Sequence, residues 1–484
     1  MGRFLAVVGL VLVACGPKIG NGNGDDGDGG VTCPSPGATQ PCYDGPAGTS
    51  GVGPCVGGTQ TCGADHQWSA CTGEVVPTGE ICANGIDDNC NGMTDEDVDT
   101  DGDGFTTCGG DCCDSINDGC GNDPAKVNPG AFESPGNMID DDCDGMVDNV
   151  AAAACDTGLA SNSATGLDYA KAIELCQTAT LADKKWGVLS ASFTKADGTG
   201  APNAIQHSIR TAFGAIPVQG GASYAVLSTG AAAAPTQTNP SYVPFQGGDV
   251  IGTTSGMPAD WLTLNNNNLP NAPGCPDPTG GTTANDPVML TLKIRVPTNA
   301  KSFSLRSNFM SSEYPEWTCS PFNDFFVVLL DSTFAGMPAN PHDKNLAFYM
   351  SAANQIYPVG VNLAHGDTGL FTVCTNGTTG CATSSGAVQG TISTCTMVAE
   401  LTGTGMDGLN PAPAFAGDPG YCGTNNQVGG GTGWLVTSGN VVGGEVITLR
   451  IALWDTSDGY YDSIAILDNF TWSIDAAQPG TVIF

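Results

Sequence analysis

Residues 151–484 alternate short apolar runs with clusters of Gly, Pro and Asn, the pattern of strands joined by turns. One helix is predicted at residues 167–176, where Ala170, Ile173 and Cys176 recur at helical spacing. Strands are predicted at residues 186–193, 288–296, 325–330, 446–454 and 463–467. Many strands with turn-rich connections predict a mainly β chain with a β-sandwich or jelly-roll domain here.

An apolar run of 11 residues, 4–14, follows Arg3. It is too short to span a bilayer, which takes about 20 residues, and it has the form of a signal peptide. The run ends in LVAC, which resembles a bacterial lipobox and implies lipidation of Cys15 after cleavage ahead of it. The alternative is an ordinary secretory signal with an incidental cysteine. We expect an exported protein anchored to a membrane by lipid on Cys15, at the outer membrane or cell surface, with residues 16–30 as a flexible tether.

Acidic residues dominate the charge, with 49 Asp and Glu against 14 Lys and Arg and a net charge of −35. Nucleic acid is not expected as a partner, because phosphate contacts need cationic side chains. An acidic chain attracts cations instead. About half of the net charge lies in residues 80–150, which hold 19 Asp and Glu and a single Lys, Lys126.

The chain has 21 cysteines, and setting Cys15 aside leaves 20. Twelve lie in residues 33–143 and eight in residues 155–422. Even numbers in an exported chain predict disulfides, with the pairing left open. Zinc is the rival interpretation, but the chain has four His, and the adjacent Cys112 and Cys113 fit no zinc-ribbon spacing. Residues 31–79, with little apolar content, form a Cys-rich module that needs disulfides to hold a shape.

Residues 84–95 match residues 137–148 at an offset of 53, with Ile, Cys, Gly and Met aligned. A calcium loop needs several oxygen ligands close together and a Gly for its sharp turn, and both copies begin D-x-[DN]-x-[DN]-G. Neither has the Glu at position twelve or predicted flanking helices, so they are not EF-hands. The predicted Ca²⁺ ligands are Asp87, Asn89, Asn91 and Asp95 in the first copy, and Asp140, Asp142, Asp144 and Asp148 in the second.

Acidic residues and glycines alternate between the two copies, and the stretch resembles a thrombospondin type 3 calcium repeat. The resemblance implies further ligands at Asp97, Asp99, Asp101, Asp103 and Asp111, with Asp114 close behind. A solvated acidic linker with Asp and Asn in turns is the alternative. The repeat, the Gly register and the interleaved cysteines favour structural binding of Ca²⁺, a hard cation that prefers oxygen ligands.

Residues 84–96 (NGIDDNCNGMTDE) and 137–149 (NMIDDDCDGMVDN) resemble the metal-binding repeat of MopE-like bacterial surface proteins. The second copy departs at Met138, where Gly is usual. The resemblance implies structural metal binding on a surface protein. No His or Met cluster in this sequence supports a copper role.

Five strings in the last part of the chain resemble the choice-of-anchor L family of bacterial extracellular domains, in the same order. They are AVLSTG (225–230), NFMSSEYPE (308–316), FNDF (322–325), LWDTSD (453–458) and LDNF (467–470). Ser312 departs from the family, which usually has Glu there. The resemblance implies an extracellular domain with no general enzymatic activity.

Four carboxylates of this domain flank predicted strand ends, namely Glu313, Asp324, Asp458 and Asp462. Convergence on one cation and capping of turns are both open interpretations. Searches for G-x-S-x-G, H-E-x-x-H and P-loop motifs give nothing, and the four His share no motif. We therefore expect no enzymatic activity.

The sequence predicts a lipid-anchored surface protein whose calcium-binding repeats present a β-sandwich for adhesion or matrix contact, with a surface glycan or matrix as partner. A carbohydrate-binding or glycan-hydrolysing domain is the second hypothesis, and metal acquisition by the acidic segment is the third. The predicted domains are residues 1–15 (signal peptide), 16–30 (tether), 31–79 (Cys-rich module), 80–150 (acidic repeats) and 151–484 (sandwich).

Overall fold

The computed structural model describes residues 32–484 except 96, 117, 119, 150–154, 246–250, 280, 367, 376, 392–394, 408–421 and 423–428. The predicted signal peptide, the tether and Cys15 lie outside the described residues. The chain divides into two compact units between residues 96 and 97. Within the described residues, no helix combines the length and the apolar character that a membrane span requires.

The first unit contains one small antiparallel sheet of β1 (Thr39–Cys42) and β2 (Gly58–Thr61). Its buried hydrophobic residues, in the part that the structure describes, are all cysteines: Cys33, Cys55, Cys62 and Cys90. Three disulfides cross-link it: Cys33–Cys62, Cys42–Cys71 and Cys55–Cys90. Sulfur bridges thus take the place of an apolar core, as the poor apolar content predicts.

The second unit contains the remaining elements. Its α-helices are α1 (Gly166–Lys171) and α2 (Ala259–Leu264). Its 3-10 helices are Thr107–Gly109, Pro124–Lys126, Val361–Ala364, Thr383–Ser385 and Val398–Leu401. Its strands are β3 (Gly187–Thr194), β4 (His207–Arg210), β5 (Ala212–Phe213), β6 (Ile216–Pro217), β7 (Tyr224–Ser228), β8 (Thr254–Gly256), β9 (Thr283–Arg295), β10 (Ser302–Ser311), β11 (Phe325–Asp331), β12 (Phe348–Met350), β13 (Ile356–Pro358), β14 (Thr378–Thr379), β15 (Gly390–Thr391), β16 (Gly430–Asn440), β17 (Val446–Asp455), β18 (Ser463–Ser473) and β19 (Gly480–Ile483).

Two antiparallel sheets form a sandwich. One has the order β19-β16-β10-β18-β7-β4, and the other has β11-β17-β9-β3 with β8 paired to β9. Inward side chains of both sheets, such as Leu305 and Leu467 from the first and Leu292 and Ile451 from the second, share one buried cluster. The mainly β fold with a sandwich is therefore confirmed. All five predicted strands are present, as β3, β9, β11, β17 and β18.

The outer faces of the sheets are covered as well. On β11, Phe326 and Val328 face the interior between the sheets, whereas Phe325 and Val327 belong to a second cluster with Trp261 of α2. Burial on both faces explains why this strand reads as a continuous apolar run and not as an alternating one.

The predicted helix at 167–176 is shorter than expected, since α1 ends at Lys171. Glu174 adopts a left-handed backbone conformation with φ of 68°, which a continuing helix excludes. Ile173 is nevertheless buried in the main core. The apolar spacing therefore reflected burial of a turn that follows the helix, not its continuation.

Disulfides of the second unit occur among the described residues on both sides of residue 150. They are Cys112–Cys143, Cys113–Cys120, Cys155–Cys176, Cys275–Cys319, Cys374–Cys395 and Cys381–Cys422. None of these six crosses residue 150, as the even numbers in the two segments predict.

The end of the acidic segment is fastened to the turn between β9 and β10. Asn128 is fully buried, and its Nδ2 donates to Asp103 Oδ2 over 2.7 Å. The Thr298 hydroxyl donates to Asn128 Oδ1 over 2.8 Å, and Asn299 exchanges two hydrogen bonds with the backbone of Phe132. Residues 97–149 are therefore part of the second compact unit and not a separate spacer.

Candidate metal centres

The second acidic loop, residues 137–148, is held by its own side chains. Asp140 accepts hydrogen bonds from the backbone N–H of Asp144 at Oδ1 (3.1 Å) and of Gly145 at Oδ2 (2.9 Å). Asp144 Oδ1 accepts from the Met146 N–H over 2.8 Å. Gly145 has φ of 89°, a conformation that glycine adopts without strain. The Asp spacing and the glycine thus produce a tight turn that gathers acidic side chains.

The first acidic loop, residues 84–95, repeats this geometry in the other compact unit. Asp87 accepts from the backbone N–H groups of Asn91 and Gly92, each over 3.0 Å, and Asn91 accepts from Met93 over 2.8 Å. The 53-residue sequence repeat is therefore a structural repeat.

Asp95 and Asp148 close the loops and do not join the gathered carboxylates. Asp148 Oδ1 accepts from the N–H groups of Gly136 (2.7 Å) and Asn137 (3.1 Å), and Asp95 Oδ1 accepts from Asn84 over 2.9 Å. Both have positive φ, 51° for Asp148 and 55° for Asp95. These hydrogen bonds bring the two ends of each loop together, and the role of Asp95 and Asp148 as Ca²⁺ ligands stays a prediction.

A glutamate ahead of each loop was missed in the sequence. Glu133 Oε1 accepts from the N–H groups of Asp141 (2.7 Å) and Asp142 (3.2 Å). Glu80 accepts with both of its oxygens, Oε2 from the N–H of Asn89 (3.2 Å) and Oε1 from the N–H of Asp95 (2.9 Å). One oxygen each of Glu133, Asp140 and Asp142 lies within 4.8 Å of the other two. The signal was present, since the two glutamates are also 53 residues apart, but they lie ahead of the aligned stretch.

Two overlapping carboxylate groups lie between the loops. Asp99, Asp101 and Asp103 form one, and Asp101, Asp111 and Asp114 form the other, each with oxygens within 4.8 Å. Asp97 is exposed and is in neither group. The second group is ordered partly by Asp114, whose two oxygens accept from the N–H and hydroxyl of Thr100, each over 2.6 Å.

These groups carry unbalanced negative charge. Burial, together with the nearby carboxylates of Asp103 and Asp101, raises the pKa of Asp111 to about 6. Burial likewise raises the pKa of Glu133 and of Asp142, with neighbouring carboxylates adding to the rise. Carboxylates that resist ionisation because they are partly buried and lie close together are suited to a divalent cation, which neutralises their charge.

A different group contains sulfur and nitrogen atoms, namely Cys275, Cys319 and His365. Cys275 and Cys319 form a disulfide, so neither supplies the thiolate that zinc requires. The groups in the acidic segment that the structure describes consist of carboxylates alone. Their chemistry favours hard cations.

Comparison with known proteins supports metal binding at these loops. Residues 78–96 and 120–149 match the family model described as "Putative metal-binding motif", of the MopE type. The matched ranges include both loops together with Glu80 and Glu133. Neither the curated proteins nor the solved structures give a match to this chain. The predicted MopE-like repeat is confirmed, and the chain is a mainly β, disulfide-rich protein with a metal-binding motif.

A second set of carboxylates lies at one end of the sandwich. β11 and β17 pair Phe325 with Trp454, so the antiparallel register places Asp324 directly opposite Asp455. β10 and β18 pair Ser311 with Ser463, which places Glu313 and Asp462 just beyond that pair. The structure thus brings Glu313, Asp324, Asp458 and Asp462 to one end of the fold and adds Asp455, which the sequence analysis left out.

These side chains are buried without balancing cations. Asp324, Asp455 and Glu313 are 0%, 1% and 2% exposed. Burial raises the pKa of Asp324 to about 8, and it raises the pKa of Glu313 and of Asp455 well above the usual range. The charged neighbours that raise these pKa values are all carboxylates, among them Asp458 for Glu313 and Asp462 for Asp455. The Ser463 hydroxyl donates a short hydrogen bond to Asp324.

A third acidic group was not anticipated from the sequence. Asp156 and Glu174 are adjacent or close to the two cysteines of the Cys155–Cys176 disulfide. A Cβ on Gly221 would lie 2.6 Å from Glu174 Oε1 and 2.7 Å from Asp156 Oδ2. Burial and the nearby Asp468 raise the pKa of Glu174 to about 8. Glycine is therefore needed at 221 for the two carboxylates to approach.

Proposed function

We propose that the acidic segment binds Ca²⁺ as a structural cation and thereby stiffens the part of the chain that precedes the sandwich. The observation that carries the proposal is the loop geometry, which recurs in two compact units at the residues matched by the metal-binding motif. In the second copy, Glu133, Asp140 and Asp142 present three oxygens within 4.8 Å of one another.

Calcium is favoured by the donor atoms. The grouped side chains offer carboxylate oxygens, which Ca²⁺ accepts in numbers of six to eight with flexible geometry. Mg²⁺ demands a stricter octahedron and keeps several waters, and Cu²⁺ and Zn²⁺ favour imidazole or thiolate. Metal acquisition, the third hypothesis from the sequence, has no support in ligand chemistry of this kind.

The wider proposal is a non-enzymatic protein of the cell surface. The lipobox at Cys15 supports an export route ending at a membrane, and the disulfides among the described residues fit an oxidising compartment. The sandwich would then be presented for adhesion or matrix contact on a calcium-stiffened base. The resemblance to choice-of-anchor L domains stays a prediction that fits this arrangement.

Calorimetry on the disulfide-bonded chain tests the calcium proposal. We expect Ca²⁺ to bind with release or uptake of heat and to raise the thermal midpoint reversibly on EDTA addition, because a ligand of the folded state stabilises it. Asp140→Asn combined with Asp142→Asn should remove the heat that belongs to the second loop. Asp475→Asn, an exposed change outside the loops, is the matched control. Equal Ca²⁺ heats in the wild type and the double variant would contradict the proposal.

Glycan binding is the second candidate, and one pocket favours it. A cavity of about 530 Å³ is lined by polar side chains such as Asn265 and Asp343 and by the apolar Phe348 and Met350. Small-molecule pockets combine apolar and aromatic walls with a few polar groups that orient the ligand. By contrast, Trp434, Trp454 and Tyr461 are buried. Retention on an insoluble polysaccharide that survives EDTA and high salt, and that Asp343→Ala abolishes, would favour this candidate over the first.

A further inference from the structure

We propose that Glu313, Asp324 and Asp455 form a separate binding site for a divalent cation of the Ca²⁺ type inside the sandwich, distinct from the acidic loops. The site lies where the starting end of β11 and the finishing end of β17 meet the finishing end of β10. It goes beyond the proposed function, which rests on residues 80–149 alone.

The strand registers build this site. Asp324 directly precedes β11, and Asp455 is the last residue of β17, so the pairing of Phe325 with Trp454 sets the two acids side by side. Their carboxyl groups lie within hydrogen-bonding range of each other. Glu313 comes from the other sheet, two residues beyond Ser311. Carboxylates from both sheets thus lie at the same end of the sandwich, where one cation could join them.

Burial argues against a chance surface cluster. All three side chains are more than nine-tenths buried. Glu313 Oε2 has no hydrogen-bond donor among the described residues. The hydrogen-bonding neighbours of Asp324 and Asp455 there are each other and the hydroxyls of Ser463 and Thr229, none of which carries a positive charge. The ion pairs among the described residues involve Asp123, Asp168, Asp260 and Asp331. None of them includes Glu313, Asp324 or Asp455. Buried carboxylates without a cation nearby are unfavourable in the charged form, and a bound divalent cation would supply the positive charge that they lack.

Turn capping does not account for these residues, although it accounts for two of their neighbours. Asp286 Oδ1 accepts from the Thr253 N–H over 2.7 Å, and Asp458 Oδ1 accepts from the Tyr460 N–H over 3.2 Å. Both are ordinary caps. Asp455 accepts no such backbone hydrogen bond in the described residues. Turn capping therefore explains Asp286 and Asp458 but not Asp324, Asp455 and Glu313.

The carboxylates of Glu313, Asp324 and Asp455 lie near one another but are not all within ligand distance of one point. Among the described residues, no three oxygens of this cluster lie within 4.8 Å of one another, unlike those of the acidic loops. Mutual repulsion keeps ionised carboxylates apart, and a cation draws them together. Glu313 has the longest of the three side chains and lies past the end of its strand, so it is the ligand that would move.

Counting bound Ca²⁺ by equilibrium dialysis of the full disulfide-bonded chain tests the site. Asp455→Asn and Asp324→Asn should each bind one Ca²⁺ fewer than the wild type. A loop variant carrying Glu133→Gln, Asp140→Asn and Asp142→Asn should lose the ion of the second loop and keep this one. Failure of the proposed function and failure of this site are therefore separate results. Asp286→Asn, which alters a neighbouring cap, should leave the count unchanged.

Three results would overturn the site. The first is an unchanged Ca²⁺ count in both Asp455→Asn and Asp324→Asn. The second is a higher thermal midpoint for these variants than for the wild type in saturating Ca²⁺, because that shows acids sharing protons with no ion between them. Where a variant does not fold, the loop variant gives the answer: Tb³⁺ replacing Ca²⁺ should emit on excitation of tryptophan, since Trp454 adjoins Asp455. Absence of that emission also overturns the site.

Discussion

Glu133 and Asp141 are joined by a 2.7 Å hydrogen bond from the backbone N–H of Asp141 to Glu133 Oε1. This contact holds a glutamate from outside the second acidic loop against the loop, and its Oε2 remains without a donor in the described residues. Glu133 is thus both a brace for the backbone and a source of a ligand oxygen. Glu80 also braces the backbone of the first loop, but both of its oxygens accept N–H groups, from Asn89 and Asp95.

Glu133→Gln should weaken Ca²⁺ binding at the second loop while leaving the loop folded. Glutamine keeps the accepting oxygen but removes the negative charge, and ligand charge sets calcium affinity. We expect a rise in Kd on the order of tenfold, equal to about 1.4 kcal/mol, measured by calorimetry. Glu80→Gln should weaken the first loop in the same way. Asp475→Asn, an exposed change outside the acidic segment, is the control. A Ca²⁺ affinity that is unchanged in both glutamate variants would exclude a ligand role for the glutamates.

Loss of the Cys112–Cys143 disulfide should impair the second loop more than the first. Cys143 lies inside the loop with φ of 57°, and its partner is 31 residues away. Replacing both cysteines with serine should lower the free energy of unfolding by about 3–4 kcal/mol, because the unfolded chain gains conformational entropy. The same change should lower Ca²⁺ affinity at the second loop. The matched control is the serine pair at Cys42 and Cys71, whose separation is similar at 29. A fall in affinity at the second loop in the control alone would contradict this prediction.

Stability of the metal-free protein should fall as the pH rises toward 9, in part through Glu174. Its pKa is raised to about 8, so the folded state holds a proton that the unfolded state releases near the ordinary pKa of 4.5. That contribution is full below the unfolded pKa and is lost as the pH rises through 8. Glu174→Gln should therefore melt higher than the wild type at pH 9 and nearly with it at pH 5. Thermal melts across this range in EDTA measure the difference, and a pH-independent gap would contradict the assignment.

The contribution of Asp260 to stability should have the opposite pH dependence, being lost at low pH. Arg450 donates to both of its oxygens, over 2.9 and 2.7 Å, and Lys344 donates over 2.7 Å, which holds the pKa of Asp260 well below its usual range. Its contribution is present above the unfolded pKa of 3.8 and disappears as the pH falls below that value. Because the side chain is 37% exposed, we expect Asp260→Asn to cost about 0.5–1 kcal/mol at pH 7. Denaturant melts should show a smaller cost of Asp260→Asn in 1 M salt, because the Debye length there is only about 3 Å and the ion pairs are screened.

The sandwich was predictable because buried strands leave a strong pattern. β11 is apolar at each position from Phe325 to Leu330, and only burial on both faces selects such a run. The acidic loops were predictable because the spacing of Asp87 and Gly92 encodes the turn directly. Local sequence carries both signals.

The contacts between distant segments were not predictable from that pattern. Asp455 follows Trp454 in a strand, and only the register with β11 sets it opposite Asp324. Likewise, nothing near Glu174 in the sequence indicates that Asp468 is its neighbour. Such contacts depend on how distant strands pair, and the sequence of a single strand does not determine its pairing partner or register.

The hydrogen bond between Asn128 and Thr298 also has a consequence for the order of events during synthesis. The two residues are 170 positions apart, so the acidic segment leaves the ribosome well before the turn on which it docks. At 5–20 residues per second, the delay is roughly 8–34 s. Throughout that time the segment depends on contacts within itself for its structure, and Asn128 Oδ1 lacks the hydrogen bond from the Thr298 hydroxyl.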